Sequence, residues 1–238
     1  MRASFHYGPA AAQAGELYGP ADSAPLLVVL LHGGFWRTPH GRDQWNAGAE
    51  DLRGRGFAVA NLGYRRLGEA GGGWPGTFED VAAGLDYLGG RFAAARIVVV
   101  GHSAGGLLAL WSAGRTRGTR PCAVAALAPI TNLLALHASG GARGVAGELL
   151  EGSPDQVPDR YRSCSPHALL PLRVPQLILH GAADTLVPLA WSREYASAAR
   201  ACGDVVELTE LPTAGHMDFL DPSSAAHGML ADWLERLR

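Results

Sequence analysis

Four short runs of apolar, largely β-branched residues constrain this chain most: Leu26–Leu31, Ala58–Leu62, Ile97–Val100 and Leu177–Leu179, with weaker runs at Ala123–Leu127 and Val205–Leu211. Their apolarity is continuous rather than alternating, the pattern of strands covered on both faces in a parallel sheet. Helical periods lie between them. Phe78, Val81, Ala82, Leu85 and Leu88 share one stripe, with Thr77 as the expected N-cap and Asp80 three residues on. Ala226, Met229, Leu230, Trp233, Leu234 and Leu237 share another near the C-terminus. Strands alternating with helices predict an α/β fold: a doubly wound, mostly parallel sheet flanked by helices.

A chain of 238 residues suits one such domain, so 1–238 is expected to fold as a single unit. The stretch 131–174 breaks the rhythm, with no strong strand and many Gly, Pro and Ser residues. An insertion there sits at the carboxyl ends of the strands, where ligands bind. A small helical cap is expected; a long loop packed on the scaffold is the alternative.

Composition removes several function classes. The formal net charge is −2 and charged residues make up 18%, so no basic footprint for nucleic acid or an anionic membrane surface is present. No apolar run approaches the roughly 18 residues of a membrane-spanning helix. Lysine is absent and all 20 basic residues are arginine, a bias that reads as codon usage and carries no function. Cys122, Cys164 and Cys202 are far apart and form no CxxC or Cys/His ligand pattern; buried free thiols are expected, with neither a metal site nor a disulfide framework. The opening residues lack the basic start and apolar core of a signal peptide, which makes the cytoplasm the expected location.

The chemistry is carried by Gly101-His102-Ser103-Ala104-Gly105. A strand (IVVV) precedes this G-x-S-x-G and a helical stretch (GLLALWSAG) follows it, the setting of a nucleophile elbow. A sharp turn lifts the serine hydroxyl above the sheet at a helix N-terminus, whose dipole favours developing negative charge. Upstream, His32-Gly33-Gly34-Phe35-Trp36 follows the first strong strand. Glycines here let bare amides turn toward an oxyanion, so Gly34 and Ala104 are the expected donors. His32 is expected to anchor the loop. Gly33, Phe35, Trp36 and His102 are candidates for lining the pocket.

With an elbow of this kind the partners follow in the order Ser, acid, His. Asp184 lies on the loop after QLILH, and His216 follows VVELTEL on a Gly-containing loop. Ser103, Asp184 and His216 are therefore the expected triad. His180 immediately precedes the acid loop, His167 lies in the cap stretch and His227 in the last helix, and none fits the base. Asp218 and Asp221 come too late for the acid and are expected to cap the terminal region or face solvent.

On these residues the chain resembles the α/β-hydrolase superfamily over nearly its whole length. HGGFW at His32–Trp36 resembles the HGGxW signature of kynurenine formamidases (arylformamidases). GHSAGG at Gly101–Gly106 and HGAAD at His180–Asp184 are similar to both those enzymes and small prolyl-oligopeptidase-like esterases. Hormone-sensitive-lipase-like esterases carry a third glycine where Phe35 stands. The resemblance implies cleavage of a small-molecule ester or amide, with an aryl formamide as the alternative substrate. The chemistry requires no metal and no organic cofactor. Acyl transfer to another acceptor, or binding without catalysis, would use the same framework. The sequence sets no oligomeric state.

Overall fold

The computed structural model describes residues 2–93, 95–140 and 144–238. Its strands are β1 (Arg2–His6), β2 (Ala14–Tyr18), β3 (Leu26–Leu31), β4 (Ala58–Leu62), β5 (Arg96–His102), β6 (Ala123–Leu127), β7 (Gln176–Gly181) and β8 (Val206–Leu211). They form one sheet in the order β1-β2-β4-β3-β5-β6-β7-β8. The β1–β2 and β2–β4 pairs are antiparallel, and every other pair is parallel.

Alternate residues of one strand feed two different cores, which explains the unbroken apolar runs. Leu27, Val29 and Leu31 face the larger core, shared with helices α2 (Gly76–Arg91), α3 (Ala104–Ala113) and α7 (Leu189–Ala201). Leu26, Val28 and Leu30 face the other, shared with α1 (Asn46–Gly54) and α8 (Ala225–Glu235). A strand covered on both sides has no solvent face to leave polar.

The cap stretch is helical. It holds α4 (Leu133–Ala138), α5 (Val145–Leu150) and α6 (Pro158–Cys164), and the Asn132 side chain caps α4 by accepting from the Leu134 and Ala135 amides. Leu133, Leu136, Val145, Leu149, Leu150 and Tyr161 join the larger core, so the insertion packs into the body of the domain. Arg37 pairs with Glu148 at 2.6 Å, and the Arg160 guanidinium sits 3.8 Å over the Trp74 ring. Both contacts join α5 and α6 to the loops after β3 and β4.

Three local expectations are corrected. The first is the start of α2, which begins at Gly76 with Pro75 in the N-cap position and no side-chain cap. Thr77 lies inside the helix, donates to the Arg65 carbonyl and accepts from Gly73 N. Asp80 is taken up by Arg65 and Gln13 instead of completing a capping box. The second concerns the cysteines: all three are free, but only Cys164 is buried, while Cys122 is half-buried and Cys202 exposed. The third is that β1 and β2 extend the sheet by two antiparallel strands where no strand was expected.

Candidate active site

The strand order reverses around β3: the chain goes from β3 to β4 on one side, then crosses to β5 on the other. The loops leaving β3 and β5 therefore part in opposite directions and open a crevice at their carboxyl ends. Leu31 pairs with Gly101 across this point, which sets the His32–Trp36 loop beside the elbow.

Ser103 has φ +56° and ψ −117°, a conformation that a side chain rarely adopts. Such strain costs on the order of 1–3 kcal/mol and persists only where the surroundings enforce it. Here Ser103 N donates to the Leu127 carbonyl at 2.8 Å. The Ser103 carbonyl accepts from the amides of Gly106, Leu107 and Ile130. The two motif glycines make room for this turn. A Cβ on Gly101 would collide with the Gly105 backbone, and one on Gly105 with the Leu31 and His32 carbonyls. Without them, α3 could not approach the end of β3.

The loop after β3 is held from several sides. Gly33 N is taken by the Gln44 side chain at 3.2 Å, which removes it as an oxyanion donor. A Cβ on Gly33 would lie 3.2 Å from Ser103 Cβ, so the loop backbone rests directly on Ser103. Gly34 (φ +99°), Phe35 (φ +53°) and Trp36 (φ +56°) follow, closed by a hydrogen bond from Arg37 N to the Gly34 carbonyl. Positive φ at both central positions is the turn of type I′. Among the described residues, no hydrogen-bond acceptor takes up the Gly34 amide or that of Ala104, the first residue of α3.

His216 Nδ1 lies 2.7 Å from Asp184 Oδ2. Asp184 Oδ1 accepts from the amides of Leu186 and Val187 at 2.8 and 2.9 Å. The carboxylate is fully buried, and burial alone would raise its pKa. Hydrogen bonds from His180, His216, Val187 and Leu186 outweigh that and hold it well below the usual carboxylate range. His102 Nε2 donates to the His216 carbonyl at 2.8 Å, which pins the His216 loop to the residue beside Ser103. Ser103 Oγ has no hydrogen bond to His216 in this structure. In substrate-free enzymes this contact is often long and tightens when substrate is bound.

Two pocket candidates lie inside the protein. Trp36 is fully buried in the larger core, because the left-handed turn carries its ring inward. His102 is buried against His216 and Phe219 and presents no open face to a ligand. Phe35 is half-buried against the core. His32 stacks on Tyr64 with ring centres 4.2 Å apart, and Tyr64 donates to the His32 carbonyl, so His32 anchors the loop. Asp218 accepts from Gly215 N, Asp221 from Ser223, and Ser224 caps α8. Among the described residues no group of His, Cys, Asp or Glu is arranged to hold a metal ion.

Burial lowers the pKa of His32 to about 4 and of His102 to about 3. Both rings stay neutral in the folded chain while the unfolded chain takes up protons below about 6.5. Stability is therefore complete above that value and is lost as pH falls toward the folded pKa values. Between pH 6.5 and 5 the unfolding free energy from urea titration should fall by roughly 3 kcal/mol from these two rings. A flat profile over that window would contradict the neutral assignment.

Residues 16–198 match the model of the family described as BD-FAE, a span that includes the His32–Trp36 loop, Ser103 and Asp184. The chain belongs to the BD-FAE family. Its fold is that of the α/β-hydrolases. Solved structures of similar shape include a truncated carbohydrate esterase from gut microbiota, with TM-score 0.80 and 20% identity over 98% of this chain and 95% of that one. Another is the propionate-bound esterase Est2 of Thermogutta terrifontis, with TM-score 0.78 and 22% identity over 99% and 92%. At such identities the likeness concerns the fold. Among curated relatives, the uncharacterized protein YfhR of Salmonella typhi is 26% identical over 85% of this chain and 78% of its own length. The kynurenine formamidase of Meyerozyma guilliermondii is 31% identical, but over 44% of this chain and 39% of its own length. Among the described residues of this BD-FAE family member, no helix is long and apolar enough to cross a membrane.

Proposed function

We propose that this BD-FAE family member hydrolyses a small carboxylic ester or amide by two-step acyl transfer. The observation that carries this is a buried carboxylate hydrogen-bonded at 2.7 Å to the imidazole of His216, whose backbone carbonyl accepts from the residue beside a strained serine. His216 takes the Ser103 proton as the hydroxyl attacks the substrate carbonyl, and Asp184 orients and stabilises the resulting imidazolium. The amides of Gly34 and Ala104 stabilise the oxyanion. His216 then protonates the leaving group, and water attacks the acyl-enzyme by the reverse route.

The leaving group must lie on the His216 side, because His216 delivers its proton. Three of the large apolar side chains that stand open to solvent follow strands on that side: Leu134 (49% exposed) after β6, Leu186 (55%) two residues after Asp184 and Met217 (55%) next to His216. Neighbouring strands β6, β7 and β8 deliver all three at the same end of the sheet. This rim favours an aryl or alkyl leaving group over a hydrated sugar, although a similarly shaped structure is named an acetyl ester-xyloside hydrolase.

The test compares kcat/KM for p-nitrophenyl acetate and butyrate, an acetylated xyloside and N-formylkynurenine. The expected result is an aryl ester value of about 10⁴ M⁻¹s⁻¹ or more, at least about tenfold above the acetylated xyloside, with Met217→Ser narrowing the gap severalfold. Preference for the xyloside would overturn the apolar-rim assignment. A second reading, an arylformamidase, is favoured by the HGGFW loop and the stretch of identity with a kynurenine formamidase. Formamide cleavage well above that of the esters would select it.

A further inference from the structure

Asp184 is shared by two histidines. His180 Nε2 lies 3.3 Å from Asp184 Oδ2, the oxygen that also faces His216, and 3.0 Å from the Val187 carbonyl. Its Nδ1 lies 2.7 Å from Ser192 Oγ, in the first turn of α7. His180, Asp184 and Ser192 have no exposed side-chain surface. The result is a Ser192–His180–Asp184 array in the core alongside the Ser103–His216–Asp184 set at the carboxyl ends of the strands.

Hydrogen-bond chemistry fixes the roles. A carboxylate and a carbonyl only accept, so His180 Nε2 carries a proton. In the singly protonated ring Nδ1 then accepts, and the Ser192 hydroxyl donates to it. Val187 is held at both ends, its amide by Asp184 Oδ1 and its carbonyl by His180. The carboxylate thus accepts from three N–H groups, those of Leu186 and Val187 on Oδ1 and of His216 on Oδ2, and the His180 ring, held by the Val187 carbonyl, packs 3.3 Å from Oδ2. Ser192 links this arrangement to α7, the helix that starts five residues after the acid.

We propose that His180 and Ser192 are positioning residues that hold the Asp184 carboxylate in the plane His216 requires, with Ser192 locking the His180 tautomer. This rests on the triad reading above. Neither residue touches substrate: both are sealed in the core. The loss on removing them is a loss of orientation, which lowers the rate of the chemical step and spares binding. Small misplacements of a catalytic group cost up to about 10²-fold in rate.

The discriminating variants are Ser192→Ala, His180→Asn and His180→Gln. Glutamine places an amide N–H at the reach of Nε2, whereas asparagine stops short of it. The readouts are the rate of labelling by a fluorophosphonate probe, and kcat and KM for p-nitrophenyl butyrate, on variants whose thermal unfolding shows an intact fold. Expected are losses of about tenfold to a hundredfold in labelling rate and kcat for Ser192→Ala and His180→Asn, with KM within about twofold, and substantial recovery in His180→Gln. Wild-type rates in folded Ser192→Ala and His180→Asn would overturn the positioning role and leave the triad standing. Equal losses in asparagine and glutamine variants would overturn it as well, since the N–H at Nε2 would then not matter. Failure of the wild-type chain to label at Ser103 would overturn the triad reading, and this inference with it.

Discussion

Ser103→Ala is expected to lower kcat by about 10⁶ while leaving the unfolding free energy within about 0.5 kcal/mol of wild type. The two expectations have separate grounds. Ser103 Oγ holds no other side chain in place, so its removal orphans no partner. The backbone turn is fixed by the Leu127 carbonyl and by the amides that converge on the Ser103 carbonyl, and all of these survive in alanine. On the proposed mechanism activity depends on the oxygen, because no acyl-enzyme forms without it. A remnant of about 10³–10⁴ over the uncatalysed reaction should persist from the oxyanion amides and substrate binding. Steady-state kinetics with p-nitrophenyl butyrate beside a urea titration reads both. An active variant would mean that water attacks the substrate directly.

Asp184→Asn carries the second largest effect, a fall in kcat of about 10⁴. Oδ1 accepts from the amides of Leu186 and Val187, and Oδ2 accepts from His216 with His180 Nε2 lying 3.3 Å away. An amide has one acceptor oxygen, so its NH₂ must face two donors whichever way it turns. If it faces the histidines, His216 Nδ1 becomes the acceptor, and the proton moves to Nε2, the nitrogen that has to accept from Ser103. If it faces the loop, the Leu186 and Val187 amides lose their partner. Losing hydrogen bonds to a charged group costs about 1.5–3 kcal/mol each, so this variant should be destabilised by about 2–4 kcal/mol, unlike Ser103→Ala. The carboxyl is ionised further into acid in the folded chain than in the unfolded one, so its stabilisation holds above about pH 4 and is lost on acidification. Wild-type stability and kcat in this variant would contradict its place in the site.

The parallel part of the sheet was legible because buried strands announce themselves. β3 and β5 read as LLVVLL and IVVV since both of their faces are covered. β1 and β2 were not legible. β1 lies at the sheet edge with only Phe5 buried, and β2 interrupts its apolar residues with Gly15 and Glu16. At the site, the contact between Asp184 and His216 follows from chain order and loop placement, both of which the sequence carries. The inward turn of Trp36 does not follow, because it depends on positive φ at two residues that are not glycine. His180 was set aside because it precedes the acid. Its partners Ser192 and Val187 sit on the next helix and loop, and only the folded chain brings them to the carboxylate. A histidine four residues before the acid and twelve before a serine was the available signal, and it carries no recognisable pattern.

The central claim is that Ser103 is the nucleophile, and the direct measurement is the site of covalent modification. The chain is treated with one equivalent of a fluorophosphonate, digested and mapped by mass spectrometry. The predicted result is a single adduct on Ser103, absent from Ser103→Ala and strongly reduced in Asp184→Asn. An unmodified chain, or an adduct on a different residue, would contradict the account.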